Sequence, residues 1–303
     1  MQIMTSSLFN PSSQLLSSLQ EAIQWNVAAA IAEDIGDGDW TAQLVPAGQT
    51  ANATIISRDR AVICGIPWVE ACFKALAPDS TIEWKVAEGA LVSPGQVLCE
   101  ISGQARGLLT AERCALNFLQ TLSATATATR QYVDAIAGTA AHIMDTRKTI
   151  PGLRVAQKYA VTIGGGYNQR MGLYDGILIK ENHIAAAGSI EAVLASADVI
   201  ERASNEQGTS SQIISKQIEV ESLEQLASAI HAGATLILLD NFTVPALREA
   251  VKLNAGRVQL EASGGITLEN VREIALTGVD RISIGGLTKH VQAIDLSMRF
   301  TAE

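Results

Sequence analysis

The sequence has little of what marks several specialised protein classes. Only 4 Cys occur in 303 residues, with no CxxC pair and no ligand-like spacing to the 4 His. We therefore expect buried free thiols in a reducing compartment, and neither a metal site nor a disulfide framework. The N-terminus lacks a basic stretch followed by an apolar one, and no apolar run approaches the roughly 20 residues that span a bilayer. These absences predict a soluble, cytoplasmic protein.

Basic residues are also in the minority. The chain has 22 Lys and Arg against 31 Asp and Glu, a net charge of −9, which argues against broad binding to nucleic acid or to an anionic membrane. Aromatic residues make up only 4%, whereas 48% of the residues are hydrophobic, with abundant Ala, Leu, Ile and Val. This composition is typical of helices packed on sheets, and the length allows one large or two smaller α/β domains.

One stretch runs against the acidic composition. Residues 145–183 carry six basic side chains against three acidic ones. A cationic stretch in an acidic chain indicates a focused site for a small polyanion, since a nucleic-acid surface would usually make the whole chain basic. The six basic residues are Arg147, Lys148, Arg154, Lys158, Arg170 and Lys180.

The first part of the chain predicts a domain of short strands. Strands are expected at 53–57, 61–64 and 81–86, with a helix at 68–76. Residues 88–101 have the valine, glycine and leucine rhythm of a lipoyl- or biotinyl-carrier hairpin, but the preceding segment has no acceptor lysine, which favours a structural β-sandwich. The acidic segment 33–39 lacks the ligand pattern of an EF-hand, so we interpret it as a solvated turn.

A long helix is predicted from about residue 107 to 138. Apolar residues surround much of its circumference, so it should be buried on several sides. Arg113 lies among them and is either paired with Glu112 or Asp134 or functional, and the pattern alone leaves these alternatives level. The helix would link a first domain, residues 1–125, to a second domain, residues 126–303, whose C-terminal end could pack back on the first domain.

After residue 140 the pattern alternates between strands and helices. This alternation predicts a parallel sheet with helical crossovers. No GxGxxG follows a strand, which argues against a dinucleotide-binding sheet. Strands are expected at 142–145, 176–179, 217–220, 236–239, 258–262 and 281–284, and helices at 154–163, 189–206, 223–232, 244–253 and 268–277.

A polar or Gly-rich cluster follows each predicted strand of this half. Because the carboxyl ends of the strands form one mouth in a β/α barrel, these clusters predict a barrel with its site at that mouth. The last two clusters are Gly-rich turns before helices, where backbone N–H groups and a helix N-terminus can hold a phosphate. The clusters are 145–148, 180–183, 219–221, 240–241, 263–265 and 285–286.

The predicted mouth combines cations, acids and phosphate-binding turns. Its cations suit a substrate with more than one carboxylate, because arginine binds carboxylates in bidentate fashion. Glu219 and Asp240 suit a magnesium ion, or sugar hydroxyls beside a phosphate. The residues alone therefore indicate a phosphorylated sugar and a small polycarboxylate, but not the reaction between them. The cations are Arg147, Lys148, Arg170 and Lys180.

Seven segments along nearly the whole chain share motifs with one family. They are AERCALNFLQTLSATATATRQYV, DTRKTIPGLRVAQKYAV, GGGYNQRMGLYDGILIKENHI, IEVES, LLDNF, EASGGIT and ISIGGLTKH. In this order they resemble the quinolinate phosphoribosyltransferase family, which makes nicotinate mononucleotide from quinolinate and phosphoribosyl pyrophosphate with loss of CO2. The resemblance implies an N-terminal α/β-sandwich domain, an open six- or seven-stranded α/β barrel, and a homodimer in which the partner's first domain completes each site.

The resemblance also implies residues that contact the carboxylates of quinolinate. Where many members of the family have His before the arginine of an N-H-R motif, this chain has Gln169. Glutamine can hydrogen-bond a carboxylate but adds no positive charge, so we expect it to remain a substrate contact without acid–base function. The implied contacts are Arg147, Arg170, Lys180 and, lent by the neighbouring subunit, Arg113.

A second set is implied for phosphoribosyl pyrophosphate. Lys148, Glu219 and Asp240 are implied as the catalytic residues beside the pyrophosphate, its magnesium and the ribose. Contact of the two acids with Mg2+ could be indirect, through the metal-bound substrate. Binding sites for the 5-phosphate are implied at Ser263, Gly264, Gly265, Gly285 and Gly286.

Plainer interpretations stand beside these. Arg154 and Lys158, spaced i and i+4 on a helix, are interpreted as a solvated face. His183 either binds or only orients a neighbour, and Glu221 shares the face of Glu219 as a supporting residue. A Schiff-base aldolase that uses Lys180 is the nearest enzyme rival. A related barrel with another base is disfavoured because the TRKT and KENH motifs are intact.

Overall fold

The computed structural model describes the backbone of residues 13–206 and 215–301, and the side chains of residues 19–203 and 215–301. Its first elements are α1 (Ser13–Ile35), β1 (Thr50–Ser57), β2 (Ala61–Val62), α2 (Ile66–Leu76), β3 (Thr81–Trp84), β4 (Leu91–Val92), β5 (Val97–Gln104) and α3 (Ala105–Ala135). The later elements are β6 (His142–Met144), α4 (Arg154–Ile163), β7 (Gly176–Ile179), α5 (Glu181–Ala187), α6 (Ile190–Glu206), β8 (Ser215–Val220), α7 (Leu223–His231), β9 (Leu236–Asp240), α8 (Val244–Asn254), β10 (Gln259–Ser263), α9 (Val271–Ala275), β11 (Arg281–Ser283), α10 (Gly286–Lys289) and β12 (Leu296–Phe300).

These elements form two compact units that alternate along the chain. The first unit takes Met1–Thr127, Ile150–Ile163 and Val291–Glu303, and the second takes Ala128–Thr149 and Gly164–His290. The predicted division placed residues 1–125 in one domain and 126–303 in the other. In the structure, α4 and β12 belong to the first unit although they come after residue 126 in the chain. Only the C-terminal end was expected to pack there.

The first unit is built on an antiparallel sheet of order β12-β1-β5-β3. Along β1 the side chains of Ala53, Ile55 and Ser57 are buried in alternation, as expected when one face of a strand covers a core. On α2, buried Trp68 and Cys72 lie four residues apart and so share one face of the helix. The predicted N-terminal α/β domain is confirmed.

The carrier-like segment at residues 88–101 does not form a hairpin of its own. β4 pairs with β2, whereas β5 pairs with β1 and β3 in the larger sheet. The Glu88 carboxylate accepts from the backbone N of Gly65 at 2.8 Å and of Ile66 at 3.1 Å, where α2 begins. These contacts give the segment a structural role.

All four cysteines are free and buried, as the sequence predicted. Cys64, Cys72 and Cys99 lie in the first unit's apolar core, where burial raises the pKa of Cys72 and of Cys99 to about 12. They are thus core side chains in the thiol form.

Helix α3 corrects one expectation. Arg113 is exposed, because it lies on the same stripe of the helix as exposed Asn117, four residues on. Asp134, one of its two predicted partners, pairs instead with Arg130 at 2.8 Å. The expectation that Arg113 lies on a buried face is wrong.

Helix α4 corrects another. Lys158 is only 1% exposed, so the predicted solvated face is wrong for this residue, while Arg154 is half-buried. The helix packs against α1 inside the first unit, and buried residues lie on more than one of its faces. The backbone N of Ile150 donates to the buried Gln157 side chain at 2.8 Å, which ties down the turn before the helix.

The second unit contains a six-stranded parallel sheet of order β6-β11-β10-β9-β8-β7. Its neighbours follow the order of the chain around a circle, with the first strand, β6, beside the last, β11. That is the strand order of a β/α barrel opened between its first and second strands, and among the described residues no ladder joins β6 to β7. Tyr167 adds an isolated parallel bridge to Met144 on β6. The predicted open six- or seven-stranded α/β barrel is confirmed.

No single helix in the described part of the chain is long and apolar enough to cross a membrane. Helix α5 and the first part of α6 together have a suitable length and composition, but the chain bends by 96° between them.

Candidate active site

The predicted site residues of the second unit lie where its parallel strands end. Lys180 follows β7, while Asp240 and Ser263 are the last residues of β9 and β10 and are direct partners in the ladder. Glu219 is the last but one residue of β8, and Gly285 follows β11. Parallel strands bring these ends to one edge of the sheet, as expected for the mouth of a barrel.

Two arginines form the cationic part of this edge. Burial lowers the pKa of Arg170 first, and the positive charge of Arg147 lowers it further, so the two guanidinium groups lie close enough to repel each other. The Nε atom of Arg147 is buried and has no hydrogen-bond partner among the described residues. Two adjacent cations, one of them with an unpaired buried donor, are suited to an anion with two negative groups.

The loop before β7 fixes the position of Arg170. Its Nη1 donates to the Gly176 carbonyl at 2.8 Å, and the Asp175 carboxylate accepts from the backbone N of Met171 and Gly172 at 2.7 and 2.8 Å. A Cβ atom at Gly176 would lie only 3.2 Å from Cβ of Arg170. Glycine therefore permits the close approach that this hydrogen bond needs.

Gln169 is held by two buried carboxylates. Its backbone N donates to Asp145 Oδ1 at 2.8 Å, and Asn168 donates to the other oxygen of Asp145 at 2.6 Å. The side-chain amide of Gln169 donates to Glu261. The residue thus belongs to a hydrogen-bond network inside the barrel, and its contact with a substrate stays a prediction.

Lys180 and Glu219 are paired across the edge. The Lys180 Nζ atom lies 2.8 Å from Glu219 Oε2 and 3.1 Å from Oε1. A lysine that forms a Schiff base must present its amine to a carbonyl carbon, whereas this Nζ atom is held by both oxygens of a carboxylate, so the aldolase interpretation is disfavoured. His183 Nδ1 accepts from the backbone N of Lys180 at 3.0 Å, which favours the orienting role for this histidine.

Asp240 is connected to the first Gly-rich turn through Asn241. Asn241 donates to Asp240 Oδ2 at 2.8 Å, and its backbone N donates to the Ser263 carbonyl at 2.9 Å. Gly264 has φ +99°, and a Cβ atom there would lie 2.7 Å from Cγ and 2.9 Å from the backbone N of Asn241. Only glycine fits this position. Helix α9 follows this turn as predicted but begins at Val271 instead of residue 268, so the turn is not itself the N-terminus of the helix.

The second Gly-rich turn does lead into a helix. Gly285 and Gly286 begin α10, and Gly285 has an ordinary φ of −67°. A Cβ atom at Gly285 would lie 2.9 Å from Cδ of Lys148, so the glycine makes room for this side chain. The Thr288 hydroxyl donates to the Lys148 carbonyl at 2.8 Å. Lys148 is itself exposed and is thus available to a ligand.

The two acids predicted to contact a metal do not form a complete metal site. In the described residues no group of three or more His, Cys, Asp and Glu side chains is placed to hold an ion. Glu219 is paired with Lys180, and Asp240 is bonded to Asn241. One or two carboxylates are nevertheless what Mg2+ uses when it arrives with substrate phosphates, so this donor set fits a metal that the substrate brings.

A cavity of about 220 Å³ adjoins Glu219, with Glu181, Glu221 and Gln225 among its lining residues. A larger cavity of about 580 Å³ lies beside His231 and Arg257, near the starts of β9 and β10. That larger cavity is at the opposite ends of the strands from the clustered polar groups. Strand-end chemistry, and not cavity size, therefore locates the site.

Arg113 lies in the first unit. In the second unit, sequence reasoning missed Glu261 and named Asn241 only as a member of the cluster 240–241. Glu261 is fully buried within β10, and Asn241 has a left-handed φ of 57° beside Gly264. A signal existed for Glu261, because it is the only charged residue in the predicted strand 258–262. Nothing in the sequence indicated the contact between Asn241 and Gly264.

The open barrel and the charged groups at its strand ends define an α/β-barrel enzyme for anionic substrates. The family model described as "Quinolinate phosphoribosyl transferase, C-terminal domain" matches residues 125–299, and that described as "Quinolinate phosphoribosyl transferase, N-terminal domain" matches residues 39–123. The chain belongs to the quinolinate phosphoribosyl transferase family.

Individual relatives agree with this assignment. The chain is 40% identical over 269 residues to a "Probable nicotinate-nucleotide pyrophosphorylase [carboxylating]" of Bacillus subtilis, covering 89% of this chain and 90% of the relative. It is 39% identical over 290 residues to "Quinolinate phosphoribosyltransferase [decarboxylating] 1b" of Nicotiana tabacum, covering 91% and 82%. The solved nicotinate-nucleotide pyrophosphorylase of Francisella tularensis superposes with a TM-score of 0.87 at 40% identity, covering 93% and 96%.

Proposed function

We propose that this chain is a phosphoribosyltransferase that moves the 5-phosphoribosyl group of phosphoribosyl pyrophosphate to quinolinate. The products are nicotinate mononucleotide, pyrophosphate and CO2, and the reaction serves the biosynthesis of NAD. The observation that carries the proposal is the adjacent pair Arg147 and Arg170, with mutual repulsion and an unpaired buried Nε atom. A pyridine dicarboxylate supplies the two negative groups that such a pair lacks.

Quinolinate would bind with its carboxylates toward the cations. Arg147 and Arg170 bind them through guanidinium forks, and Lys180 shares its charge between Glu219 and the ligand. Gln169 adds a neutral hydrogen-bonding group beside Arg170. This arrangement predicts a preference for two carboxylates over one, because a monocarboxylate leaves one cation uncompensated.

The chemistry then has two steps. The ring nitrogen of quinolinate forms a bond to the anomeric carbon while the bond to pyrophosphate breaks, and positive charge develops on the sugar. Glu219 and Asp240 stabilise that charge, and Lys148 stabilises the departing pyrophosphate. The resulting pyridinium ring accepts the electron pair of the adjacent C–CO2 bond as CO2 leaves, and the ring carbon then takes a proton from solvent.

Phosphate groups would be bound at the two Gly-rich turns. Ser263, Gly264 and Gly265 form one turn and Gly285 with Gly286 the other, and both present backbone near the strand ends. Mg2+ would enter with phosphoribosyl pyrophosphate and supply charge compensation at its phosphates, with Glu219 and Asp240 as the nearby acids.

The proposal includes a homodimer in which Arg113 serves the site of the partner subunit. Its support is that Arg113 is exposed, so its guanidinium group is accessible; within its own chain its charge partly offsets the rise in the pKa of Glu112 that burial causes. The same unit also exposes large apolar side chains, Trp40 at 83% and Leu44 at 84%. Of these, tryptophan is among the residues enriched at protein interfaces.

Mixing two inactive variants tests this arrangement. Arg113→Ala and Lys148→Ala proteins, dissociated and reassembled together, should regain about a quarter of the wild-type activity, since half of the dimers are mixed and each contains one intact site. A mixture that stays inactive, with mixed dimers present by mass, would reject the role of Arg113 across the interface.

The function itself is tested with purified protein, Mg2+ and phosphoribosyl pyrophosphate. Quinolinate should yield nicotinate mononucleotide and CO2 in equal amounts, and nicotinate offered in its place should react far more slowly. Absence of both products would reject the function. Equal use of nicotinate would reject the interpretation of the arginine pair as a dicarboxylate site.

A further inference from the structure

Glu261 is a fully buried carboxylate that the proposed chemistry does not use. It sits in the middle of β10 between apolar Leu260 and Ala262, and its side chain faces the interior of the second unit. Burial of a charge is costly unless the group is paired and hydrogen-bonded. The carboxylate at this position should therefore be bound by several hydrogen-bond donors.

Several donors from three parts of the chain converge on Glu261. Gln217 on β8 donates to Oε2 at 3.0 Å, and the side-chain amide of Gln169 donates to Oε1. Arg281, its direct ladder partner on β11, places Nε 3.1 Å from Oε2, and the Ser283 hydroxyl also bonds to the carboxylate. The group is thus the centre of a polar network one layer beneath the strand ends.

Only one of these donors leads to the cationic part of the site. Gln169 directly precedes Arg170, whose guanidinium is near Arg147 and is tied to Gly176. The backbone of Gln169 is held by Asp145, so its side-chain bond to Glu261 is a second, independent anchor on the same residue. Two anchors on one residue fix both the path of the backbone and the direction of the side chain.

We propose that Glu261 is a positioning residue that, through Gln169, holds the quinolinate-binding side of the site in place. The inference rests on the proposed function. Glu261 does not contact a substrate. It fixes the side chain of Gln169 and so restricts the position of Arg170, the next residue in the chain. A bond to a charged acceptor is about twice as strong as a bond between neutral groups, so an acid fixes the amide better than another amide would.

A pairing role with Arg281 alone would not explain these contacts. That pair needs one acid and one base, yet the amides of Gln169 and Gln217 also point at the same carboxylate. Burial raises the pKa of Glu261, while Arg281 and then the hydroxyl and amide donors lower it. The amides thus help to keep a charge at a place where burial opposes one.

The test compares variants of the full-length protein. Glu261→Asp keeps a negative charge opposite Arg281 but shortens the side chain, which withdraws the carboxylate from Gln169 and also from Gln217. Gln169→Leu removes the bond to Glu261 from the other side and leaves the pair with Arg281 intact. Glu261→Asp should raise the KM and the calorimetric Kd for quinolinate about tenfold, the effect of losing one hydrogen bond to a charged group, and Gln169→Leu should raise them at least as much because it also removes the proposed contact with quinolinate. The KM for phosphoribosyl pyrophosphate should stay within about twofold.

Two further variants separate positioning from general damage to the barrel. The double variant Glu261→Asp with Gln169→Leu should bind quinolinate no more weakly than Gln169→Leu alone, since Glu261 is proposed to act on the site only through Gln169. Gln217→Leu is the matched control, because it removes an amide donor to the same carboxylate from β8, away from Arg170. It should change the thermal midpoint by as much as Gln169→Leu but leave quinolinate affinity within about twofold.

Contrary outcomes are distinct from failure of the proposed function. If the wild-type protein makes no nicotinate mononucleotide, the function is rejected. If the wild-type protein is active and Glu261→Asp binds quinolinate normally, or if Gln217→Leu weakens binding as much as Gln169→Leu, the positioning role is rejected. Effects of Glu261→Asp and Gln169→Leu that multiply in the double variant would also reject it.

Discussion

The edge of the parallel sheet where the strands end has two sides, one at β6 and β7 and one at β9 and β10, and they differ in charge and in backbone conformation. On the side of β6 and β7, Arg147 and Arg170 repel each other, and a buried donor has no partner among the described residues. On the side of β9 and β10, Asp240 already has a side-chain partner, and the backbone of Gly264 and Asn241 takes left-handed conformations. The first side carries two positive charges that repel each other, whereas on the second side the carboxylate is hydrogen-bonded and the backbone conformation is fixed.

This difference bears on how each side recognises its ligand. The positive charge of Arg147 and Arg170 becomes compensated only when an anion binds. These side chains should therefore determine the selectivity of the site between dicarboxylate and monocarboxylate substrates. A turn built from left-handed residues presents backbone N–H groups whose positions do not depend on the ligand, which suits a phosphate. Substitutions on the two sides should therefore affect different kinetic constants.

The largest expected effects come from removing either of the two adjacent cations that follow β6, Arg147 and Lys148. Arg147→Ala should lower kcat/KM for quinolinate by roughly 10²-fold, mainly through KM, because the dicarboxylate loses a guanidinium fork. Lys148→Ala should lower kcat by a similar factor, because charge on the departing pyrophosphate is no longer offset. Steady-state kinetics with each substrate varied in turn would separate the two patterns.

The conservative variant Arg147→Lys is the control for this comparison. It keeps the charge but loses the bidentate fork, so it should recover only part of the affinity for quinolinate. A change below a few-fold for Arg147→Ala or Lys148→Ala, in proteins with unaltered thermal midpoints, would reject their roles.

A smaller effect is expected from a substitution at Gly264, on the side of β9 and β10. Gly264→Ala should cost about 1–3 kcal/mol of unfolding free energy, because alanine is strained at φ +99° and its Cβ would meet Asn241. The KM for phosphoribosyl pyrophosphate should rise about tenfold, since Asn241 also holds Asp240 and each tenfold change is about 1.4 kcal/mol. Chemical denaturation and initial rates measure the two effects.

The neighbouring glycine provides the matched control. Gly265 has φ +59°, and a Cβ there would have no atom within 4 Å. Gly265→Ala should therefore cost only about 1–2 kcal/mol and change the KM for phosphoribosyl pyrophosphate far less than Gly264→Ala does. Equal losses of affinity in the two variants would mean that strain alone, and not contact with Asn241, makes Gly264 necessary.

The sequence predicted the barrel well because its signals are local. Each strand of the second unit contains buried apolar residues and is followed by a polar or Gly-rich cluster, and β7 and α4 have the bounds that the pattern predicted. The burial of Lys158 was not predictable in this way. Its i, i+4 spacing to Arg154 describes a helix surface, and only packing of α4 within the first unit shows that this surface is covered.

For the site residues, too, the sequence predicts local features but not contacts between distant segments. Charge type and strand-end position led to the prediction of Arg147, Lys180 and Asp240, because the ends of parallel strands must meet, whereas charge type and family motif led to that of Arg170. The partners of these residues depend on three-dimensional contacts between distant segments, as between Gln169 and Glu261, which are 92 positions apart. Repeated dipeptides were also misleading, since Gly264-Gly265 and Gly285-Gly286 look alike but have different backbone conformations.

The smallest predicted effect separates these two Gly-rich turns. Gly285 has a φ that any residue adopts, and the atom nearest to its hypothetical Cβ is Cδ of Lys148, part of a flexible side chain. Gly285→Ala should leave the unfolding free energy unchanged or raise it by up to about 1 kcal/mol, because alanine loses less conformational entropy on folding.

Displacement of Lys148 should lower kcat about threefold without raising the KM for quinolinate. A variant of Lys148→Ala with Gly285→Ala should be no slower than Lys148→Ala alone, since the alanine acts only through that lysine. If Gly285→Ala instead destabilised the protein as much as Gly264→Ala, both turns would depend on backbone conformation and the contrast between them would fail.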